Sequence, residues 1–340
     1  MGEAGLDRIP FLTRTEREDL GRVVRGFPWA VTPYFLSLIR WEDPQDPVRR
    51  QVVPHPDELG VASPGCMDPL EEEAHTVAPG LIRRYPDRAV LLATRRCAVL
   101  CRYCFRKRLW GVEAEAEDPG RWEPALRYLR THRSIRDVLV SGGDPLTLSD
   151  PALDRLLGAL RRIPHVALIR VGSRVPVVLP QRVTDGLCRV LDRHGPVWLV
   201  TQFNHPREIT PRAAEACERL TRAGVPVNNQ TVLLRGVNDS PETLRPLCRD
   251  LLRIRVRPYY LHQCDRVTGA EHFRTPIETG IGIVEQMHGT VSGLAIPRFV
   301  VDLPGSGGKV PLPPGHLIGS DGSRVRIRSL DGRTVPYENP

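Results

Sequence analysis

The chain has 340 residues, is 41% hydrophobic and carries a formal net charge of +8. That length accommodates one large α/β barrel with extensions or two ordinary domains, and the sequence contains no apolar run long enough for a transmembrane helix or a signal peptide. Its basic residues are dispersed and its aromatic content is only 6%, which favours an arginine-rich solvated surface over a nucleic-acid-binding face. We therefore expect a cytoplasmic protein with neither a membrane nor a nucleic-acid partner.

Residues 1–80 are rich in proline and acidic residues, with helical spacing at 15–25 and 33–39, and are predicted to form an N-terminal helical extension. Beyond them, apolar β-rich runs alternate with amphipathic helical stretches, a pattern typical of buried parallel strands covered by helices. The predicted strands lie at 89–93, 137–140, 167–171, 197–203, 226–234 and 256–261, and the predicted helices at 124–131, 152–163, 183–194, 211–223 and 241–252. The predicted fold class is α/β, a partial (β/α)6 TIM-like barrel over residues 81–264, closed by a mixed C-terminal segment over residues 265–340.

Three cysteines, Cys97, Cys101 and Cys104, follow the first predicted strand with C-x3-C-x2-C spacing. Three thiolates on one loop can ligate three irons of a [4Fe–4S] cluster and leave the fourth iron open for an outside ligand. A structural zinc site would instead show paired CxxC knuckles or added histidines, and a disulfide framework is not expected with eight cysteines in 340 residues. The spacing is typical of radical S-adenosylmethionine (SAM) enzymes, in which the methionine part of SAM chelates the open iron.

Polar and glycine-containing motifs follow the other predicted strands, at the edge where the active sites of such barrels gather. Residues 141–144 come after the second strand, and their glycines would let the backbone come close to a bound group. Further motifs are residues 172–174, 202–206, 229–230 and 262–265. Some of these residues are alternatively helix caps, as Ser149 or Asp150 is expected to be before Pro151.

Lysine is rare in this chain, because only Lys107 and Lys309 among 48 basic residues are lysine. Arginine cannot form a Schiff base, so a retained lysine is a candidate for amine chemistry. Lys309 lies in a glycine-rich stretch that we predict to be a flexible loop with an accessible amine; an ordinary loop lysine is the alternative. A phosphate-binding loop is not indicated, because Val310 stands where the G-x-x-x-x-G-K-[ST] pattern requires serine or threonine.

Stretches across residues 28–340 closely resemble the lysine 2,3-aminomutase family of radical SAM, pyridoxal-phosphate (PLP) enzymes. The matching stretches are the cysteine loop and residues 30–34, 44–49, 79–88, 141–145, 174–180, 233–239, 257–260, 271–276 and 301–309. The resemblance implies a barrel of the radical SAM type and an isomerase that interconverts L-lysine and L-β-lysine. It also implies three cofactors: a [4Fe–4S] cluster, SAM and PLP.

The resemblance implies roles for individual residues. Cys97, Cys101 and Cys104 would hold the cluster, and Lys309 would attach PLP. Arg106 would bind the substrate α-carboxylate, for which a planar guanidinium is well suited. The residues expected at the cofactors are Arg88 at the PLP phosphate and Ser141, Gly142, Gly143, Asp144, Gln230 and Gln202 at SAM.

Asp265 and Asp302 match the two carboxylates that hold the ε-ammonium of lysine in this family. A buried ammonium needs compensating anions, because its desolvation is otherwise prohibitive. Two carboxylates would repel the side chain of glutamate, so the expected substrate is lysine, with arginine or ornithine as alternatives. For either aspartate alone, an exposed loop carboxylate is the simpler interpretation.

The chain departs from the family pattern at several positions. Gln202, His262 and Phe105 stand where the family has histidine, tyrosine and threonine, near the predicted SAM and substrate sites, so a changed substrate is an open alternative. Ser240 stands where a zinc-binding cysteine is common, and we do not expect the cysteine-rich C-terminal extension that completes that zinc site in the family. We expect no structural zinc, a reduced or different homo-oligomer, and an electron donor of the flavodoxin or ferredoxin type.

Other functions remain open at this point. The sister branch that makes β-lysine for elongation factor P modification is also short, although the two aspartates favour the branch acting on free lysine. Alternatives of another class are a radical SAM enzyme that modifies RNA or a peptide, and a non-catalytic zinc-binding module. Iron and sulfide content separates the zinc module from the others, and a PLP absorbance band lost with Lys309→Ala separates a mutase from an RNA-modifying enzyme.

Overall fold

The computed structural model describes residues 9, 12–60, 65–110, 119–320 and 324–338, so residues 1–8 of the predicted N-terminal extension lie outside the described residues. The helices before the first strand are α1 (Arg14–Gly26), α2 (Pro33–Leu36) and α3 (Pro47–Val52). Thr13 begins α1 with a capping box to Glu16, and a proline opens each of the next two helices. The first two correspond to the predicted helical patches, and α3 was not predicted.

Ten strands form one sheet in chain order. They are β1 (Thr76–Ala78), β2 (Leu81–Ile82), β3 (Arg88–Thr94), β4 (Asp137–Gly142), β5 (Leu168–Gly172), β6 (Val197–Thr201), β7 (Val227–Leu233), β8 (Val256–Gln263), β9 (Arg298–Leu303) and β10 (Gly308–Pro311). Neighbours from β3 to β9 are parallel, whereas β1, β2 and β10 are joined by antiparallel pairing. The six predicted strands are present as β3–β8.

Helices connect the parallel strands and cover the outside of the sheet. They are α4 (Glu123–Thr131), α5 (Asp150–Arg161), α6 (Val175–Val178), α7 (Asp185–Arg193), α8 (Pro211–Arg222), α9 (Pro241–Arg253) and α10 (Ile277–Met287). In α5, the leucines at 153, 156, 157 and 160 share one face and are fully buried. Ser149 caps this helix, its Oγ accepting from the Ala152 N–H, as the sequence predicts.

β9 is a seventh parallel strand, within the segment that we predicted only as a mixed closing region. Leu261 on β8 pairs with Phe299 on β9, and the chain then returns as β10. The β/α alternation stops here because a proline–glycine turn, rather than a helix, follows the strand. Within the described residues the sheet does not close into a complete barrel.

A separate antiparallel sheet of three strands lies beyond β10. Its strands are β11 (Leu317–Ser320), β12 (Arg324–Arg328) and β13 (Thr334–Glu338). The division of the chain into three regions at residues 80 and 264 stays a prediction. The central sheet crosses both boundaries, because β1 lies before residue 80 and β9 and β10 lie after residue 264. None of the described helices has the length and apolarity needed to cross a membrane.

Candidate active site

The central sheet curves around a cavity of about 610 Å³, lined by residues from each strand between β3 and β10. This volume lies within the range of ordinary ligand sites, roughly 300–1,000 Å³. Every residue predicted for the site lines this one cavity: Arg88, Cys97, Cys101, Cys104, Arg106, Ser141, Gly142, Gly143, Asp144, Gln202, Gln230, Asp265, Asp302 and Lys309. The cavity therefore brings together residues that are separated by more than two hundred positions in the chain.

The three cysteines of the C-x3-C-x2-C loop face the cavity beyond the C-terminal end of β3, and none of them forms a disulfide. Burial raises the pKa of the Cys104 thiol to about 11 and also raises the pKa of Cys97. Such thiols bind as thiolates when a metal supplies the compensating charge, which the irons of a cluster would do. The described residues contain no group of three metal-binding side chains arranged around one ion, and cluster ligands need no such point because each binds a different iron.

Buried ion pairs fix the cysteine loop to the N-terminal region. Arg102 donates to Glu58 at 2.8 and 2.7 Å, and Lys107 Nζ donates to the Gly269 carbonyl at 2.6 Å and to Glu58 at 3.4 Å. The Lys107 ammonium also lies 4.6 Å from the ring centroid of Phe27. One of the two lysines is thus a buried structural cation, which leaves Lys309 as the lysine in the cavity.

Gly142 and Gly143 allow β4 to approach the start of the cysteine loop. Gly142 has φ +118, and a Cβ at this position would lie 2.3 Å from the Thr94 carbonyl oxygen. A Cβ on Gly143 would lie 2.3 Å from the Arg96 carbonyl oxygen. The Gly143 N–H donates to Thr94 at 2.7 Å. The close approach that we expected toward a bound group is therefore made to the protein's own backbone.

Asp144 joins the ends of β4 and β5. Its carboxylate accepts from Ser173 Oγ at 2.7 Å, from the Arg174 N–H at 2.8 Å and from the Leu146 N–H at 3.0 Å. Burial raises the pKa of Asp144, against these hydrogen bonds. Hydrogen bonds from the loops after β4 and β5 therefore hold the Asp144 side chain in place without a ligand.

Neighbouring residues on β7 have different roles. Asn229 turns to the backbone of Phe203, accepting from its N–H at 2.6 Å and donating to its carbonyl at 3.0 Å. Gln230 instead lines the cavity, as does Gln202 just beyond β6. Strand alternation thus separates a structural amide from a cavity amide.

Arg106 is paired with a carboxylate that the sequence did not reveal. Its Nε and Nη2 donate to Glu72 at 2.9 and 2.7 Å, and its Nη1 donates to Ser141 Oγ at 3.1 Å. Arg108 donates to the same carboxylate at 2.7 Å. Burial acts to raise the pKa of Glu72, but the two guanidinium groups outweigh it and lower this pKa to about 2. Glu72 lies in a run of three glutamates, and no spacing distinguishes it from its neighbours.

Lys309 lies on β10 and not in the flexible loop that we predicted. The β9–β10 register places it directly opposite Asp302, and its ammonium forms an ion pair with the Asp302 carboxylate. The Lys309 N–H donates to Tyr85 Oη at 2.8 Å, and Gly308, with φ +67, lets Tyr85 approach the backbone. The glycines shape the turn and the strand start, and the lysine is held on a strand.

His262 completes a charged cluster with these two residues. Its Nδ1 lies 3.1 Å from Lys309 Nζ and 3.3 Å from Asp302 Oδ2. Burial and the Lys309 ammonium lower the pKa of His262, which favours the neutral ring. Burial acts to raise the pKa of Asp302. The hydrogen bond from His262 and the charge of Lys309 outweigh burial and hold this pKa well below its usual range.

Asp265 is the second carboxylate in this part of the cavity. Burial and the negative charge of Asp302 raise the pKa of Asp265 to about 7, even though the Lys309 ammonium opposes the shift. At neutral pH, Asp302 is therefore ionised and Asp265 is only partly ionised. A bound cation would stabilise the ionised form of Asp265.

Arg88 lines the cavity from the opposite end to the cysteines, because it is the first residue of β3 and the cysteine loop follows the last. Its guanidinium lies 3.8 Å from the ring centroid of Tyr85, and its side chain is 40% exposed. We expected the site residues to gather at the C-terminal ends of the strands. Arg88 instead lies at the N-terminal end of β3.

The chain matches two protein-family models. Residues 91–247 match the Radical SAM superfamily, and residues 284–340 match the family described as Lysine-2,3-aminomutase. L-lysine 2,3-aminomutase of Clostridium subterminale is 47% identical over 97% of this chain and 79% of its own length, and that of Bacillus subtilis is 43% identical over 98% and 71%.

A relative with another name also matches: glutamate 2,3-aminomutase of Clostridioides difficile is 42% identical over 98% of this chain and 79% of its own length. Both names describe a 2,3-aminomutase, and they differ in the amino acid, lysine or glutamate. With high identity over nearly its whole length and a cavity that gathers the cysteine loop and Lys309, the chain belongs to the lysine 2,3-aminomutase family of radical SAM isomerases.

Proposed function

We propose that the protein is a PLP-dependent aminomutase that interconverts L-lysine and L-β-lysine. The observation that carries the choice of substrate is the pair of partly buried carboxylates, Asp265 and Asp302, in the cavity that also contains the cysteine loop. An ammonium is already bound there, since the Lys309 amine pairs with Asp302. A substrate with a cationic side chain matches this charge, because a buried cation needs anionic partners.

The cavity residues fit the cofactors of the proposed reaction. When bound, the cluster and SAM supply a radical that removes a hydrogen atom from the substrate, and PLP carries the migrating amino group. Cys97, Cys101 and Cys104 would hold the cluster, and the accessible amine of Lys309 would attach PLP. The other expected contacts are Arg88 at the PLP phosphate and Ser141, Gly142, Gly143, Asp144, Gln202 and Gln230 at SAM.

The chain's own residues would bind the substrate at its two ends. Arg106 would hold the α-carboxylate, and Asp265 and Asp302 would hold the distal ammonium. Lys309 Nζ could not attach PLP and remain the free ammonium that pairs with Asp302. Attachment would therefore leave the Asp302 carboxylate available to the distal ammonium of the substrate.

Other substrates are distinguished by the same two carboxylates. Glutamate, named in one relative, would place its side-chain carboxylate against Asp265 and Asp302 and be repelled. Arginine and ornithine are second candidates because their side chains are cationic, and lysine destined for elongation factor P modification also remains one. The flavodoxin or ferredoxin donor, the homo-oligomer and the cytoplasmic location stay predictions.

Anaerobic incubation with SAM, PLP, dithionite and a panel of amino acids tests the proposal, with β-isomers and 5′-deoxyadenosine read by mass spectrometry. We expect β-lysine from lysine. Turnover of another amino acid without β-lysine would contradict the substrate and leave the chemistry, whereas no 5′-deoxyadenosine with any amino acid would contradict both. Lys309→Ala is the matched control, and it should lose the PLP absorbance band while retaining iron.

A further inference from the structure

Arg174 places a positive charge against one of the three cluster cysteines. Its Nη1 donates to Cys101 Sγ at 2.9 Å. The residue follows β5 on the loop that also contains Ser173, and it is only 7% exposed. A buried guanidinium is always charged, so this is a charge-assisted hydrogen bond to sulfur in a site shielded from water.

The remaining donors of Arg174 hold it in this position. Nη2 donates to Gln51 Oε1 at 2.6 Å, and Nε donates to the carbonyl of Gln202 at 3.2 Å. Gln51 belongs to α3, and Gln202 follows β6, so the guanidinium is fixed from two separate elements. A side chain held in this way keeps its distance to the sulfur instead of sampling other rotamers.

A buried carboxylate balances the charge. Glu208 is fully buried, with Oε1 3.5 Å from Arg174 Nη2, and its Oε2 accepts from the Asn204 N–H at 3.0 Å. The order Glu208, Arg174, Cys101 is therefore negative, positive, and sulfur that becomes negative when it ligates iron. Any change in the charge of a cluster on Cys101 is felt by this fixed pair.

We propose that Arg174 sets the reduction potential of the [4Fe–4S] cluster, with Glu208 as the opposing group. Reduction adds one electron to [4Fe–4S]2+ and gives [4Fe–4S]+, so the cluster and its thiolates become more negative. A cationic donor on a ligand sulfur stabilises the reduced form and raises the potential, and hydrogen bonds to ligand sulfurs are known determinants of cluster potentials. Arg174 is a positioning and tuning residue, and the inference rests on the radical SAM membership and not on the choice of lysine as substrate.

Redox titration monitored by electron paramagnetic resonance tests the proposal on full-length protein reconstituted with iron and sulfide, with dithionite as reductant and without SAM, PLP or amino acid. We expect Arg174→Met to shift the midpoint potential to a more negative value and Arg174→Lys to shift it less. Glu208→Gln removes the opposing charge and should shift it in the positive direction. Arg182→Met is the control, because Arg182 pairs with Asp150 at 2.6 Å outside the cavity.

Opposite shifts in the Arg174 and Glu208 variants are difficult to explain by general damage to the fold. An Arg174→Met protein with full iron content and the parental potential would overturn the proposal. If that variant fails to hold a cluster, Glu208→Gln decides: a positive shift supports the proposal, and an unchanged or more negative potential overturns it. Because no substrate is present, failure to form β-lysine leaves this result unaffected.

Discussion

The Arg106 guanidinium turns one edge to Glu72, with Nη2 2.7 Å from Oε1 and Nε 2.9 Å from Oε2. A guanidinium has five N–H groups, and this pairing uses one on Nε and one on Nη2. A third N–H, on Nη1, donates to Ser141 Oγ at 3.1 Å, so one N–H on Nη1 and one on Nη2 remain as donors. Glu72 and Ser141 thus orient Arg106 and leave these two donors for the α-carboxylate of the proposed substrate.

Glu72→Gln should lower the free energy of unfolding by about 3 kcal/mol at neutral pH, because it leaves buried guanidinium groups without their anion. The pKa of Glu72 is about 2 in the folded chain, below its ordinary value of 4.5. The difference between parent and variant should therefore be constant well above pH 4.5 and shrink as the pH falls from 4.5 toward 2. Denaturant unfolding at several pH values measures it. Glu73→Gln is the control, since Glu73 is 79% exposed, and equal stability of the two variants would contradict the prediction.

The affinity for lysine should rise with pH toward neutrality. Asp265 has a pKa of about 7, so below that pH a bound ammonium must displace a proton from it, at a cost of up to about tenfold in Kd per pH unit. Equilibrium binding of lysine and of norleucine, which lacks the ammonium, checks the effect; the same pH dependence for both would refute it.

Asp302→Asn should weaken lysine turnover strongly while PLP remains bound. Removing one partner of a buried ion pair costs about 2 kcal/mol or more, which corresponds to at least roughly thirtyfold in kcat/KM. Steady-state kinetics and the PLP absorbance band measure the two quantities separately. The exposed Asp331→Asn serves as control, and unchanged kcat and KM in Asp302→Asn would remove this residue from the substrate site.

Lys107→Arg should lower stability and leave PLP content unchanged. The Lys107 ammonium is enclosed by the Gly269 carbonyl, Glu58 and the Phe27 ring, and a larger planar group overpacks such a space at a cost of about 1–3 kcal/mol. Lys309→Arg should give the reverse result, losing PLP with little change in melting temperature. If Lys107→Arg loses the PLP band and melts normally, the two lysines have been assigned the wrong way round.

Hydrophobic periodicity predicted β3–β8 because these strands are apolar runs separated by amphipathic helices. It missed β9, since the chain after Leu303 turns back as a strand and the alternation that identifies a parallel strand ends there. Loop spacing was sufficient to group the three cysteines, which line one cavity, because they are close in sequence. The partner of Arg106 was not predictable, because Glu72 is 34 residues away and only tertiary packing selects it from three consecutive glutamates.

The antiparallel register that sets Lys309 opposite Asp302 also limits how this enzyme can change. A one-residue insertion in the turn at residues 305–307 would shift β10 by one position and point the lysine to the other face of the sheet. Replacement of the residue at 302, by contrast, leaves the register intact, because cross-strand pairing depends on the backbone. If Lys309 attaches PLP as we propose, turn length is constrained by that attachment, while side-chain identity on the facing strand is free to follow the substrate.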